Sequence, residues 1–135
     1  MANAVYPKYK EAIISGSANT ALSTGDVKAV LVDTADYTYN ASHEFLTDVP
    51  AGGRVATSPN LASKTVTNGT FDSDDFTFSS VTGSESEAIV LYIDTGTAGT
   101  SRLVAYIDTG VTGLPVTPNG GDIDVVVNAS GWFSL

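Results

Sequence analysis

His43 is the only histidine of the chain, and cysteine is absent. A Ser-His-Asp triad would have to be built on that one imidazole, because a serine nucleophile needs a base within hydrogen-bond reach. Its local string, Ala41-Ser42-His43-Glu44-Phe45, lacks the glycines of a nucleophile elbow. A surface or helix-turn histidine is the expectation, with pH sensitivity its one distinctive property. Disulfides and thiolate metal centres are excluded outright.

The carboxylates offer more. Asp72-Ser73-Asp74-Asp75 is the densest acidic cluster, and alternating acids can present oxygens to Ca²⁺. A twelve-residue calcium loop counted from Asp72 ends at Gly83, where a bidentate Glu is required. Counted from Asp74 it ends at Glu85, but Phe76 and Phe78 then fall on ligand positions and Ser79 replaces the needed glycine. The cluster therefore reads as a solvated turn whose charges oppose edge-to-edge strand pairing. Glu85 and Glu87 could be imagined as glycosidase carboxylates, but such a pair needs a set separation across a cleft. No row of tryptophans supports a sugar site, since Trp132 is the only one. Asp94-Thr95-Gly96 and Asp108-Thr109-Gly110 end two copies of Tyr-Ile-Asp-Thr-Gly, fourteen residues apart. Aspartic proteases bring two such motifs together from matching lobes. Here the copies flank one hairpin, and Asp, Thr and Gly read as turn formers. Asn119-Gly120-Gly121 and Gly52-Gly53-Arg54 lack the Lys-Ser/Thr ending of a phosphate loop and read as turns. Asn40, Asn68 and Asn128 match the N-glycosylation pattern by chance, with no export signal in support. The expectation is a non-enzymatic protein without cofactor or metal. Its one local reversal of charge sign is Tyr6, Lys8, Tyr9 and Lys10, a basic-aromatic patch expected to touch a partner.

These residues must be placed by strands. Residues 87–94 alternate Ile89, Leu91 and Ile93 with Ala88, Val90 and Tyr92, so both faces are apolar and the strand is central. Residues 102–108 repeat the pattern after a turn-rich connection, which predicts an antiparallel hairpin. Further strands are expected at 26–33, at 63–66 before the turn former Asn68-Gly69, at 75–79 with Phe76 and Phe78 inward, and at 122–127 with Ile123, Val125 and Val127 inward. A short last strand at 131–135 would turn Phe133 and Leu135 to the core. Two short helices are expected, one at 7–16 between a proline start and a glycine stop, one at 42–46 capped by Ser42. The fold class is all-β, an antiparallel β-sandwich, jelly-roll-like or immunoglobulin-like, formed as one domain over 1–135 with 1–16 as an N-terminal arm or helix.

Composition fits this. The 135 residues carry 6 Lys+Arg against 15 Asp+Glu, a net charge of −9, with only 16% of residues charged. Too few cations are present to displace counterions from nucleic acid or to hold an anionic membrane, so neither is an expected partner. The first ten residues lack the apolar core of a secretory signal, and the protein is expected to be made in a cytoplasm.

Val32-Asp33-Thr34-Ala35-Asp36-Tyr37-Thr38-Tyr39, Lys64-Thr65-Val66-Thr67-Asn68-Gly69-Thr70-Phe71-Asp72 and the stretch 91–122 with Gly113-Leu114-Pro115-Val116-Thr117-Pro118-Asn119-Gly120-Gly121 resemble small virion proteins of tailed bacteriophages. The opening 4–10 and the ending 129–135 are similar too. The resemblance implies a structural role on the virion surface, a capsid decoration or cement protein binding the major capsid protein and associating with itself in symmetric sets. The alternative it leaves is a tail-associated or adhesion-like β module that binds a receptor or sugar. It carries over no catalytic or interface residue.

Overall fold

Antiparallel strands dominate the computed structural model, which describes residues 3–135. Met1 and Ala2, the start of the expected N-terminal arm, lie outside the described residues. In chain order the elements are β1 (Ala4–Val5), α1 (Pro7–Ile14), β2 (Asp26–Val32), 3₁₀ turns at Leu46–Asp48 and Ala51–Gly53, and β3 (Arg54–Thr57). They continue with β4 (Thr65–Thr67), β5 (Thr70–Asp72), β6 (Phe76–Phe78), β7 (Ala88–Asp94), β8 (Arg102–Ile107), β9 (Ile123–Val125) and β10 (Phe133–Ser134). Three sheets form, ordered β1-β8-β7-β2-β3, β10-β5-β4 and β6-β9, every pair antiparallel. This is the expected all-β, sandwich-like class. Among the described residues no helix is long and apolar enough to cross a membrane.

Strand β7 is the middle of the five-stranded sheet because neither of its faces can be left in water. Residues 88–93 are all buried. Ile89, Leu91 and Ile93 stand opposite Leu31, Ala29 and Val27 of β2, and Val90 stands opposite Val30. On the other side Leu91 meets Ala105 and Ile89 meets Ile107 of β8. Alternation then puts Tyr106, the cross-strand partner of Val90, on the opposite face from Ala105 and Ile107.

Each face has its own cover. Over the Tyr106 face lies the segment 33–53. Tyr39 packs on Tyr106 at 5.6 Å between ring centroids and on Tyr6 at 5.1 Å. Arg54, at the end of the second 3₁₀ turn, pins the first, its guanidinium donating to the carbonyls of Val49 (2.8 Å) and Leu46 (2.9 Å). Toward the other face Ile107 shares a depression with Trp132 and Phe133 of the C-terminal strand. Helix α1 sits beside the three-stranded sheet, where Tyr9 and Ile13 share a depression with Phe71 and Phe133.

Helix α1 begins at Pro7, whose missing N–H is no loss at that position, and it buries Tyr9 and Ala12. It stops where Gly16 takes φ +67°, while Ser17 N–H donates to Ala12 C=O and Gly16 N–H to Ile13 C=O, the paired bonds of a Schellman end. Asn68 and Gly69 both take positive φ in the β4–β5 turn, as a two-residue hairpin requires.

Three details depart from the sequence reading. No helix starts at Ser42, whose hydroxyl donates to Asn40 Oδ1 instead. The helical turn begins at Leu46, because Asp48 carboxylate accepts from the N–H groups of Glu44 and Phe45 and closes the segment there. Leu135 points outward and is 60% exposed, while Trp132 takes the core position, with its indole N–H donating to Ser73 Oγ at 2.8 Å. Strands β1 and β3 were not expected.

Candidate partner-binding surface

Of the four N-terminal residues expected to meet a partner, two are core. Tyr6 has no exposed surface, and its hydroxyl lies 2.6 Å from that of Tyr37, which in turn lies 2.9 Å from His43 Nδ1. Burial, reinforced by the neighbouring phenol of Tyr37, pushes the Tyr6 phenol far above its ordinary range. Tyr9 is 2% exposed and donates to Thr20 C=O at 2.7 Å. Burial raises its phenol to about 12 against the opposing charge of Arg102. The basic-aromatic patch therefore reduces to its cations. The period of α1 explains why: Tyr9 and Ala12 define the inward stripe, so Lys8 and Lys10 turn toward water. Lys8 sits 3.4 Å from Glu11, whereas Lys10 makes no ion pair among the described residues.

Beside Lys10 the surface becomes apolar. Among the described residues five large hydrophobic side chains are exposed: Ile13, Ile14, Val66, Val126 and Leu135. Four of these, all but Val126, line two adjoining depressions. The first, about 430 Å³, is walled by Lys10, Ile13, Ile14 and Leu135. The second, about 310 Å³, shares Ile13 and Leu135 and extends to Val66 and Phe71. Ile14 is 86% exposed, an uncommon state for a large aliphatic chain. A rim cation beside clustered apolar groups has the make-up of a protein-binding surface. The sequence carried a usable sign of it, since Ile13 and Ile14 are consecutive and only one can follow the Tyr9–Ala12 stripe.

The other candidate residues are taken up by structure. Asp72 Oδ1 accepts from Ser73 N–H and Asp75 Oδ1 from Val127 N–H, each at 2.8 Å. With Asp74 they converge on no point at which three ligands meet. Glu87 Oε1 accepts from Thr34 N–H (2.9 Å) and Thr34 Oγ1 (2.8 Å), while Glu85 Oε2 accepts from Thr117 Oγ1 at 3.5 Å. The two Asp-Thr-Gly copies stand at opposite ends of the β7–β8 hairpin, roughly 20 Å apart along the strands. In the first, Asp94 Oδ1 accepts from Gly96 N–H at 3.0 Å. In the second, Asn3 Oδ1 accepts from the N–H groups of Asp108 and Thr109.

Asp94 gives a pH prediction. The Gly96 N–H holds its carboxyl below the usual carboxylate range, burial works the other way, and Lys28 at 3.0 Å assists the lowering. Lys28 is correspondingly raised by its bond to Asp94. Folding lowers the Asp94 pKa, so its stabilisation is complete above the ordinary carboxylate range and is lost as pH falls through and below it. Asp94→Asn is expected to cost about 1–2 kcal/mol at neutral pH and to flatten part of the acid limb of the stability curve. Urea denaturation at about pH 7 and about pH 3 measures both. An equal loss at the two pH values would contradict the assignment.

Comparison with protein-family models and with curated proteins finds no match.

Proposed function

We propose that this chain is a non-enzymatic structural protein that decorates a virus shell, binding the major capsid protein lattice through the face formed by α1, Val66 and Leu135. One observation carries the reading: of the five large hydrophobics exposed among the described residues, four lie together on that face, beside Lys10, which makes no ion pair among those residues, on a chain of net charge −9. Such a face fits a partner surface that is apolar at its centre and carboxylate-bearing at its rim. The resemblance to phage virion proteins supports the lattice as the partner. The mechanism is linkage. A protein that binds assembled shells and not dissociated subunits stabilises the shell by RT ln(1 + L/Kd) per site, where L is its free concentration.

Purified protein mixed with undecorated expanded shells is expected to co-sediment with them and to raise their melting temperature. The double variant Ile14→Ser, Leu135→Ser is expected to bind at least roughly tenfold more weakly, because central apolar contacts dominate such interfaces. Its own melting temperature should change little, since both side chains are already in water. Wild-type protein that stays in the supernatant would overturn the reading.

A further inference from the structure

A further depression, about 260 Å³, lies on the Tyr106 face of the five-stranded sheet and is lined by Thr34, Tyr37, Tyr39, Glu87, Tyr106 and Asp108. Its walls are aromatic. Tyr39 and Tyr106 pack at 5.6 Å and Tyr37 and Tyr106 at 6.4 Å between ring centroids. Tyr106 is 4% exposed as a residue and lines the depression. The phenol is raised first by burial and then by the negative charges of Asp108 and Glu87, so both carboxylates bear on the same hydroxyl. Glu87 is held rigidly through Oε1 by the N–H and hydroxyl of Thr34, which leaves Oε2 without a hydrogen bond among the described residues.

The ligand chemistry follows from this set. A carboxylate oxygen can only accept, and the Tyr106 oxygen can accept beside it. Aromatic faces attract cations, and the two carboxylates repel anions. We infer that this depression is a receptor for an organic cation, a primary ammonium or guanidinium, with its alkyl stem against Tyr39 and its N–H groups on Glu87 Oε2 and Tyr106 Oη. A chain of net charge −9 adds long-range attraction for such a ligand. The site is independent of the partner-binding face, because Tyr106 alternates with Ala105 and Ile107 on the sheet.

The cation has two sources, a free amine or a Lys or Arg side chain of another protein. Titrations of the intact protein with n-butylammonium, n-butylguanidinium, a capped Gly-Arg-Gly peptide and n-butanol separate them, followed by the NMR signals of Tyr39 and Tyr106. Both alkyl cations are expected to shift these signals, and butanol is not. Shifts with the peptide as well assign the cation to a protein side chain. Shifts with the small cations alone assign it to a free amine, and either result supports a cation receptor. Glu87→Gln keeps an acceptor for Thr34 and is expected to weaken binding at least roughly tenfold. Tyr106→Phe keeps the ring and is expected to weaken it roughly three- to tenfold. If either variant fails to fold, raising salt from about 0.01 to about 1 M on wild-type protein serves instead, and should weaken binding by screening. No shift with any cation, an equal shift with butanol, or unchanged affinity in Glu87→Gln or in high salt would overturn the inference.

Discussion

Leu91→Ala is expected to destabilise the fold by about 3–5 kcal/mol, the upper half of the range seen for buried leucine truncations. Leu91 has no exposed surface and sits on the middle strand of the five-stranded sheet. Its direct neighbours on that face are Ala29 of β2 and Ala105 of β8. One large side chain thus fills the width of three positions, and truncation would leave three alanines in a row. The residues above and below, Ile89 and Ile93 with their partners Leu31 and Val27, are fixed by their own cross-strand packing and cannot close the gap. A loss of this size removes a large fraction of the about 5–15 kcal/mol that holds a domain folded. Guanidinium denaturation measures it directly. Leu91→Met, which conserves volume, should cost less than about 1.5 kcal/mol, and Val66→Ala on the exposed edge about 0.5 kcal/mol or less. A cost for Leu91→Ala near that of Val66→Ala would show that Leu91 does not fill the centre of the core.

The same strand shows how much of the molecule is legible in the sequence. Two apolar faces on residues 88–93 require a covered central strand whatever the rest of the chain does, and β7 is one. The β7–β8 hairpin and the Asn68-Gly69 turn likewise rest on local rules. Strand β1 has only two residues, Ala4 and Val5, too few to show a period, and exists because β8 offers it an edge at Tyr106 and Ala105. Alternation counted from Phe133 turned Leu135 inward, but Trp132 is buried instead, because Ser73, distant in sequence, accepts its indole N–H. The apolar face proposed for shell binding was half legible. Lysines beside tyrosines point to helix α1, yet the helical period gives Tyr9 to the core, and the apolar part of the proposed face joins α1 to Val66 and Leu135 only in three dimensions. The depression around Tyr106 was not legible at all, since it assembles residues from 34–39, 87 and 106–108 on the register of β7 and β8.

Gly131→Ala is the second large effect, an expected loss of about 2–4 kcal/mol, and it tests how the C-terminal strand is held. Gly131 takes φ +89°, a conformation that costs an alanine about 1–2 kcal/mol. The added Cβ would also lie 2.8 Å from Phe71 C=O and 2.8 Å from Thr70 Cγ2. The Phe71 carbonyl cannot yield freely, because it accepts the N–H of Trp132 at 2.8 Å. Relief of the clash must therefore strain or break that bond, and with it the seat of Trp132, whose indole is tied to Ser73. Gly52→Ala is the control. Its Cβ meets nothing within 4 Å and its φ is not positive, so it should be neutral or stabilising by up to about 1 kcal/mol. Near-ultraviolet circular dichroism follows Trp132, and denaturation gives the free energy. Strand β10 carries Ser134 and leads into Leu135, both lining the depression at Lys10 and Ile14. Gly131→Ala should consequently weaken shell binding even at temperatures where the variant remains folded, whereas Gly52→Ala should not. Loss of stability with shell affinity unchanged would mean that β10 does not position the binding face.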